Sequence, residues 1–282
     1  MREGVRVSGL LHEGDTVAGV VAHAGGEERT TRARVTVGAD GRRSVVARSL
    51  GLLREHPTMR RFAVRGYWEG VEALGEVGEM HVGRGGYCGV APLSPTLANV
   101  AFVLDRREMA PAGGDIEAFY RDALRRRWPR LAERLEGAHL VFPPRAIGPL
   151  ALDCRAVTAP GVVLVGDAAG FYDPFTGEGV TLALRTAELA AGALHTALGR
   201  RGSLPLPRLV AYERSRHDAT RDKFRFNRLL QVAVGWPDAA NAVARRLARR
   251  PDLADRLVSI AGDFVPARVA FGPRFLWDLL TA

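Results

Sequence analysis

Gly161–Ala191, GVVLVGDAAGFYDPFTGEGVTLALRTAELAA, is the stretch that decides the fold. An apolar, β-branched run, Val162–Val165, ends in Gly166-Asp167. Small residues follow, then a loop punctuated by Pro174 and Gly177, then a long helical pattern opening near Gly177. A short apolar run bounded by turn signals predicts a buried strand. That strand delivers one carboxylate, Asp167, into a loop, and the helix start behind it offers unpaired amides and a positive dipole end. A carboxylate can accept hydrogen bonds from sugar-type hydroxyls, while helix-start amides can hold negative charge. The combination suits a polyhydroxylated, anionic cofactor. Taken alone, it is equally a plain strand-loop-helix joint.

Upstream, Ala33–Leu52 (ARVTVGADGRRSVVARSLGL) repeats the arrangement, an apolar strand ending in Asp40-Gly41 and a short helix over Ser44–Leu50. A loop that approaches a phosphate or a sugar-alcohol chain tolerates little side-chain bulk, which suits Gly41. Equally, Gly41 is a turn glycine and Asp40 a cap for the helix that follows. Here the chain resembles a known family. GADGRRSVVARSLGL resembles the DG motif, and LVGDAAGFYDPFTGEGV the GD motif, of single-component FAD-dependent oxidoreductases of the para-hydroxybenzoate hydroxylase type. That superfamily includes aromatic hydroxylases, flavin-dependent halogenases and geranylgeranyl reductase-like enzymes. Gly-Glu-Gly after Pro-Phe-Thr is most similar to the geranylgeranyl reductase-like branch, and many aromatic hydroxylases carry His where this chain has Gly170. The resemblance spans roughly residues 5–230 and rests on both motifs occurring in order, with a β-rich segment between them.

The resemblance implies an α/β fold: a Rossmann-type FAD-binding domain with an inserted, mainly antiparallel β-sheet substrate domain and C-terminal helices. Such domains begin with a strand, a GxGxxG turn and a helix that receive the pyrophosphate. The sequence contains no GxGxxG; Gly83-Arg84-Gly85-Gly86 has the wrong spacing and no helix after it. The opening residues, MREGVRVSGLLHEGDTVAGVVAH, resemble the middle of a family member's FAD domain. A preceding segment on the order of a hundred residues, or a partner chain, is therefore expected to complete the domain; the alternative is a genuinely short protein that dispenses with the turn. Without it, the cofactor sheet would keep an unpaired edge, so these 282 residues alone are expected to be poorly soluble and to hold FAD weakly or not at all.

Composition fits a globular chain. At 282 residues and 47% hydrophobic content there is enough chain for a sizeable core and one or two domains. No apolar run reaches the length of a membrane span, and Met1–Gly9 is polar, unlike a secretory leader. Cys88 and Cys154 form neither a disulfide framework nor a metal motif, so no metal is expected and the cytoplasm is the expected location. The net charge of +9 comes almost wholly from arginine, since Lys223 is the only lysine. Arg125–Arg127 and Arg245, Arg246, Arg249 and Arg250 read as solvated helix faces, and no nucleic-acid partner is expected.

Four segments are predicted. Residues 1–52 form the closing part of the first FAD-domain segment, where Thr16–His23 and Arg29–Gly38 are strands joined through Ala24-Gly25-Gly26. Residues 53–150 form a β-sheet substrate domain with strands over Arg61–Trp68, Glu79–Val82, Tyr87–Ala91 and Asn99–Leu104, and a helix over Asp115–Arg127. Pro143, Pro144 and Pro149 mark extended chain returning from it, and Tyr67, Trp68, Tyr87 and Phe102 are either pocket walls or sheet core. Residues 151–200 form the second FAD-domain segment, whose helix sets Leu182, Ala183, Ala187, Leu189, Ala190 and Leu194 against the sheet. Residues 201–282 are a helical region, with a long helix over Leu209–Val234; Val265–Leu280 either packs on the core or touches a membrane surface.

By motif, the resemblance assigns Gly166 and Asp167 to the ribityl chain, Asp40 and Gly41 to the pyrophosphate side, and Pro174 to the isoalloxazine. It assigns the amides of Gly177, Glu178, Gly179 and Val180 to the ring's N1–C2=O edge, where a helix start can stabilise developing negative charge. Glu178 is either a base or a first-turn carboxylate favoured by the dipole. FAD is the implied cofactor, with NADPH or NADH as electron donor and a small organic or lipid-like substrate. The chemistry is hydroxylation with oxygen or hydride transfer to a carbon–carbon double bond; the other reading is an inactive FAD-fold remnant that only binds. Tyr87-Cys88-Gly89-Val90-Ala91-Pro92 lacks two aromatics of the geranylgeranyl reductase pattern Tyr-x-Trp-x-Phe-Pro, which argues against an isoprenoid substrate. The halogenase pattern Trp-x-Trp-x-Ile-Pro and its relay lysine are also missing.

Overall fold

Arg6–Glu13 (β1), Thr16–Ala24 (β2) and Glu27–Arg32 (β3) form an antiparallel meander in the computed structural model, which describes residues 1–83, 85–199, 202 and 204–281. Gly25-Gly26 closes the β2–β3 hairpin, pairing Ala24 with Glu27. The strand expected over Arg29–Gly38 is two strands. β3 exposes every side chain and pairs with β2, whereas Thr36–Gly38 (β4) belongs to a different sheet. Charged and threonine side chains suit an exposed edge for β3, and the chain crosses between sheets at Ala33–Val35. Val45–Ser49 (α1) and Leu53–Glu55 (β5) follow.

The next sheet has the expected strands, each within a residue or two of its predicted bounds: Arg61–Glu69 (β6), Glu79–Gly83 (β7), Gly86–Pro92 (β8) and Leu97–Asp105 (β9). Arg84, inside the glycine cluster, lies outside the described residues. Two helices, Ile116–Arg127 (α2) and Pro129–Arg134 (α3), precede the short returning strands His139–Leu140 (β10) and Arg145–Ile147 (β11). The strand order is β10-β6-β9-β8-β7, antiparallel throughout, with β11 also on β6. Asp115 caps α2 by accepting the Ala118 amide at 2.9 Å, and Arg125–Arg127 fill its last turn, where the dipole favours cations.

Phe119, Tyr120 and Leu124 of α2 pack on Val64, Trp68, Val100 and Phe102 of that sheet. The Tyr120 ring stacks 5.3 Å from Phe102, which also stacks 5.7 Å from Trp128. Trp68 Nε1 donates to Tyr120 Oη at 3.0 Å, and Tyr120 donates on to the Val100 carbonyl at 2.8 Å, so both polar tips are satisfied inside an apolar layer. Trp68 and Phe102 are therefore core. Tyr87 is also buried, and Tyr67 lies half-buried beneath the Arg65 guanidinium.

After Leu152–Cys154 (β12, paired with β5) the chain makes Thr158–Ala159 (β13) and Val162–Leu164 (β14). β14 pairs antiparallel with β13 and parallel with β4, setting Val162 opposite Thr36 and Leu164 opposite Gly38. Gly161 makes the turn between β13 and β14: it sits at φ +73°, and a Cβ there would run into the Val17 carbonyl oxygen. Val162, Val163 and Leu164 are fully buried, each contributing about 1.5–3 kcal/mol of apolar transfer. Gly179–Leu198 (α4) covers them through Thr186, Ala190, Leu194 and Ala197. This stripe advances by four, four and three residues, which leaves Ala187 exposed where contact was expected, and Leu182, Ala183 and Leu189 half-buried. Val210–Val234 (α5) follows, its Tyr212 hydroxyl donating to the Leu164 carbonyl at 2.7 Å.

Pro237–Arg249 (α6), Pro251–Ala261 (α7) and Pro273–Thr281 (α8) complete the helices. One compact unit comprises Met1–His56, Leu152–Arg225 and Ser259–Arg268; the other comprises Pro57–Ala151, Phe226–Val258 and Val269–Ala282. Within Val265–Leu280, Ala267, Ala270 and Phe275 are buried while Trp277 is exposed. Among the described residues, no helix is long and apolar enough to cross a membrane.

Candidate functional site

Parallel pairing brings the two carboxylate turns to the same end of one sheet. β4 ends at Gly38 and β14 at the facing Leu164, so Asp40 and Asp167 both leave from the carboxyl ends of neighbouring parallel strands, where open α/β sheets bind ligands. Val165 extends the pairing by donating to the Gly38 carbonyl at 2.9 Å. Gly166–Ala169 then forms a tight helical turn. Gly166 holds φ +55°, and a Cβ there would lie 3.0 Å from the Ala183 Cβ, so only glycine lets α4 approach this closely. Its amide donates to Thr186 Oγ1 at 2.9 Å, fixing the turn to α4.

Asp167 is half-buried, and among the described residues nothing hydrogen-bonds to its carboxylate. Burial raises its pKa; the charge of Arg42, from the Asp40 loop, works against that rise. Burial in turn pulls Arg42 below its ordinary value. The carboxylate lies beside the opening of α4: a Cβ on Gly179 would stand 3.9 Å from Asp167 Oδ1. Gly166, Asp167 and Gly179 are thus brought together, with Arg42 as a partner that motif reasoning missed. An arginine two residues after Asp40 was visible in the sequence, but only strand pairing shows that it serves Asp167.

Asp40 itself is a cap. Its Oδ2 accepts the Val45 amide at 2.6 Å and the Val46 amide at 3.4 Å, while Ser44 Oγ accepts the Ala47 amide at 2.9 Å. Gly41 holds φ +75° and faces open space where a side chain would stand. The loop before α4 is pinned at its base, where Phe171 exchanges backbone hydrogen bonds with Leu152 and Tyr172 donates to Asp153 Oδ1 at 3.0 Å. Pro174 is exposed, and its carbonyl accepts the Gly177 amide at 3.0 Å. That bond corrects the expected set of ring-facing amides: Gly177 N–H is committed to the turn. The helix begins at Gly179, with Glu178 at the capping position, and Gly179 and Val180 are exposed in its first turn.

Glu178 does not cap. Its side chain makes no hydrogen bond to the helix start and pairs instead with Lys223 of α5. The Lys223 ammonium also lies 2.9 Å from Asp263 Oδ1 and donates to the carbonyls of Ile260 and Ala261 at 2.7 and 3.0 Å. Sequence reasoning singled out Lys223 only as the one lysine; nothing local to Glu178 announces a partner 45 positions later. Arg216 of α5 lies on the far side of the Gly166–Ala169 turn, donating to the Ala169 carbonyl at 3.0 Å.

A half-buried carboxylate with no hydrogen bond among the described residues, an exposed helix start and glycines at adjoining strand ends fit a ligand that brings hydroxyls and negative charge. The family model for the FAD binding domain matches residues 1–227. The chain is 34% identical over 201 residues to digeranylgeranylglycerophospholipid reductase 1 of Methanococcoides burtonii, covering 67% of this chain and 46% of the reductase. It is 28% identical over 204 residues to tryptophan 2-halogenase of Chondromyces crocatus, covering 68% of this chain and 38% of the halogenase. The fold matches the crystal structure of CmlS, a flavin-dependent halogenase, with a TM-score of 0.69 at 26% identity, over 79% of this chain and 41% of that one. The chain spans about half the length of the curated relatives it matches.

Proposed function

This chain belongs to the FAD binding domain family, and on that premise we propose that it holds the flavin side of FAD and serves an oxidoreductase that reduces a carbon–carbon double bond in a small organic or lipid-like substrate. The observation that carries the cofactor assignment is the half-buried Asp167 carboxylate, unbonded beside the open start of α4. Support for reduction over other flavin chemistry comes from the similarity to the Methanococcoides burtonii reductase and from Gly177-Glu178-Gly179 at the helix start.

When bound, the flavin would supply two-electron redox chemistry, with NADPH or NADH as the electron donor. The chain's own residues bind and polarise. Asp167 accepts hydrogen bonds from ligand hydroxyls, and the charge of Arg42 favours the ionised form against the rise that burial imposes. The exposed first turn of α4, through the amides of Gly179 and Val180, stabilises negative charge arriving at its end. Gly41 leaves room for chain or phosphate, and Asp40 shapes that loop through α1. Pro174, exposed in the loop, is available to lie against a ring.

The experiment is an anaerobic one. The 282-residue chain, loaded with excess FAD, is mixed with NADPH or NADH, and flavin bleaching is followed before and after adding unsaturated lipid-like and aromatic substrates. Re-oxidation by an alkene substrate without oxygen supports reduction. Turnover that requires oxygen and tracks its uptake replaces reduction with hydroxylation. A chain that binds no flavin removes the cofactor assignment for these residues alone, and with it the reductase reading of them.

A further inference from the structure

Lys223 is the only lysine among 40 basic residues, and it is buried. Its ammonium pairs with Glu178, lies 2.9 Å from Asp263 Oδ1, and donates to the carbonyls of Ile260 and Ala261. The two carboxylates differ in exposure: the Glu178 side chain is 10% exposed, whereas that of Asp263 is 39% exposed. Asp263 also sits at φ +62°, a left-handed conformation that persists in a non-glycine residue only where its surroundings fix it. Four groups from two separate stretches of chain therefore converge on one ammonium. A buried charge needs such company.

The position of Glu178 gives the cluster its consequence. Glu178 occupies the capping position of α4, where the helix dipole favours a negative charge. Here its side chain makes no bond to the first-turn amides, and its carboxylate pairs with Lys223 of α5. We propose that Lys223 is a positioning residue: by binding the Glu178 carboxylate it keeps that group off the amides of its own helix and leaves the α4 start open to an anionic ligand. This rests on the FAD assignment above, in which the α4 start meets the flavin. Without Lys223, the half-exposed Asp263 can turn to water, while the Glu178 carboxylate is released at the capping position of α4. There it competes with the ligand and repels its negative charge.

The test compares the parent chain with Lys223→Met and with the double variant Lys223→Met/Glu178→Gln in titrations with FAD, read by flavin fluorescence. Far-UV circular dichroism and urea unfolding report the fold of each. The expected result is a Kd about tenfold higher for Lys223→Met, and a return to within about threefold of the parent in the double variant, where no anion is left to occupy the amides. A merely structural role for Lys223 would leave the double variant as weak as the single one, and that result overturns the proposal. Parent-like binding by Lys223→Met overturns it as well, with the FAD assignment intact. A parent chain that takes up no FAD overturns the assignment and the proposal together.

Discussion

Burial raises the Asp167 carboxyl above its ordinary value near 3.8, and the neighbouring Arg42 offsets only part of that rise. A folded-state pKa raised above the unfolded one means that the native state binds the proton more tightly. Stability is then lost as pH rises from about 3.8 through the folded value. Asp167→Asn is accordingly expected to stabilise the flavin-free chain against urea at pH 7, with the gain vanishing on acidification below pH 4. A variant no more stable than the parent at pH 7 would show that the carboxylate is satisfied by something other than ligand. The sequence made Asp167 legible because an apolar strand ends on it. It made Asp40 look equivalent, yet the Val45 amide claims that carboxylate at 2.6 Å. Two acidic residues in similar strand-end contexts differ by what their following helix does with them, and local pattern does not carry that difference. Lys223 was visible as a rarity, but its partners are set by helix packing.

At the scale of elements, the joint between β14 and α4 depends on one hydroxyl. Thr186 Oγ1 accepts the Gly166 amide at 2.9 Å and donates back to the Leu182 carbonyl at 2.9 Å. Thr186→Val keeps the shape and removes the acceptor, leaving a buried N–H without a partner. The expected cost is about 1–3 kcal/mol in urea unfolding with an unchanged slope. A change below 0.5 kcal/mol would mean that the turn relaxes and does not need α4. The same chemistry explains which elements the sequence disclosed. β14 and the strands β6, β8 and β9 of the antiparallel sheet announce themselves by β-branched and aromatic residues bounded by Gly and Pro. The break between β3 and β4 does not, because residues 33–35 continue an acceptable strand pattern, and only pairing with β2 on one side and β14 on the other divides it. Strand preference is a preference for neighbours, and those neighbours are distant in sequence. The α4 stripe erred at Ala187 for a related reason, since alanine at helical spacing fits either face.

Over the whole chain, each compact unit has its own core, and the candidate site belongs to the unit that holds β4 and β14. The unit holding β6–β9 centres on Phe102, fully buried against Phe119, Tyr120 and Trp128. Phe102→Ala is expected to cost about 3–5 kcal/mol through lost burial and a residual cavity, as measured by thermal or urea unfolding. A loss near 1 kcal/mol would place that aromatic cluster outside the load of the fold. The architecture was legible in outline, because two strand-end carboxylate motifs flanking a β-rich insertion define it. The assembly of one unit from Met1–His56, Leu152–Arg225 and Ser259–Arg268 was not, since the last of these has no pattern that ties it to the first.

The central claim is that the Asp167 carboxylate and the open α4 start bind the flavin side of FAD. The most direct measurement is an equilibrium titration of the 282-residue chain with FAD, in parallel with Asp167→Ala. The sequence has no GxGxxG turn for the pyrophosphate, so weak but saturable binding is expected, at one flavin per chain. Removing the carboxylate should then raise the Kd by roughly five- to 150-fold, the equivalent of about 1–3 kcal/mol for ligand hydroxyls left unpaired in a half-buried site. Equal Kd values for parent and variant would contradict the account.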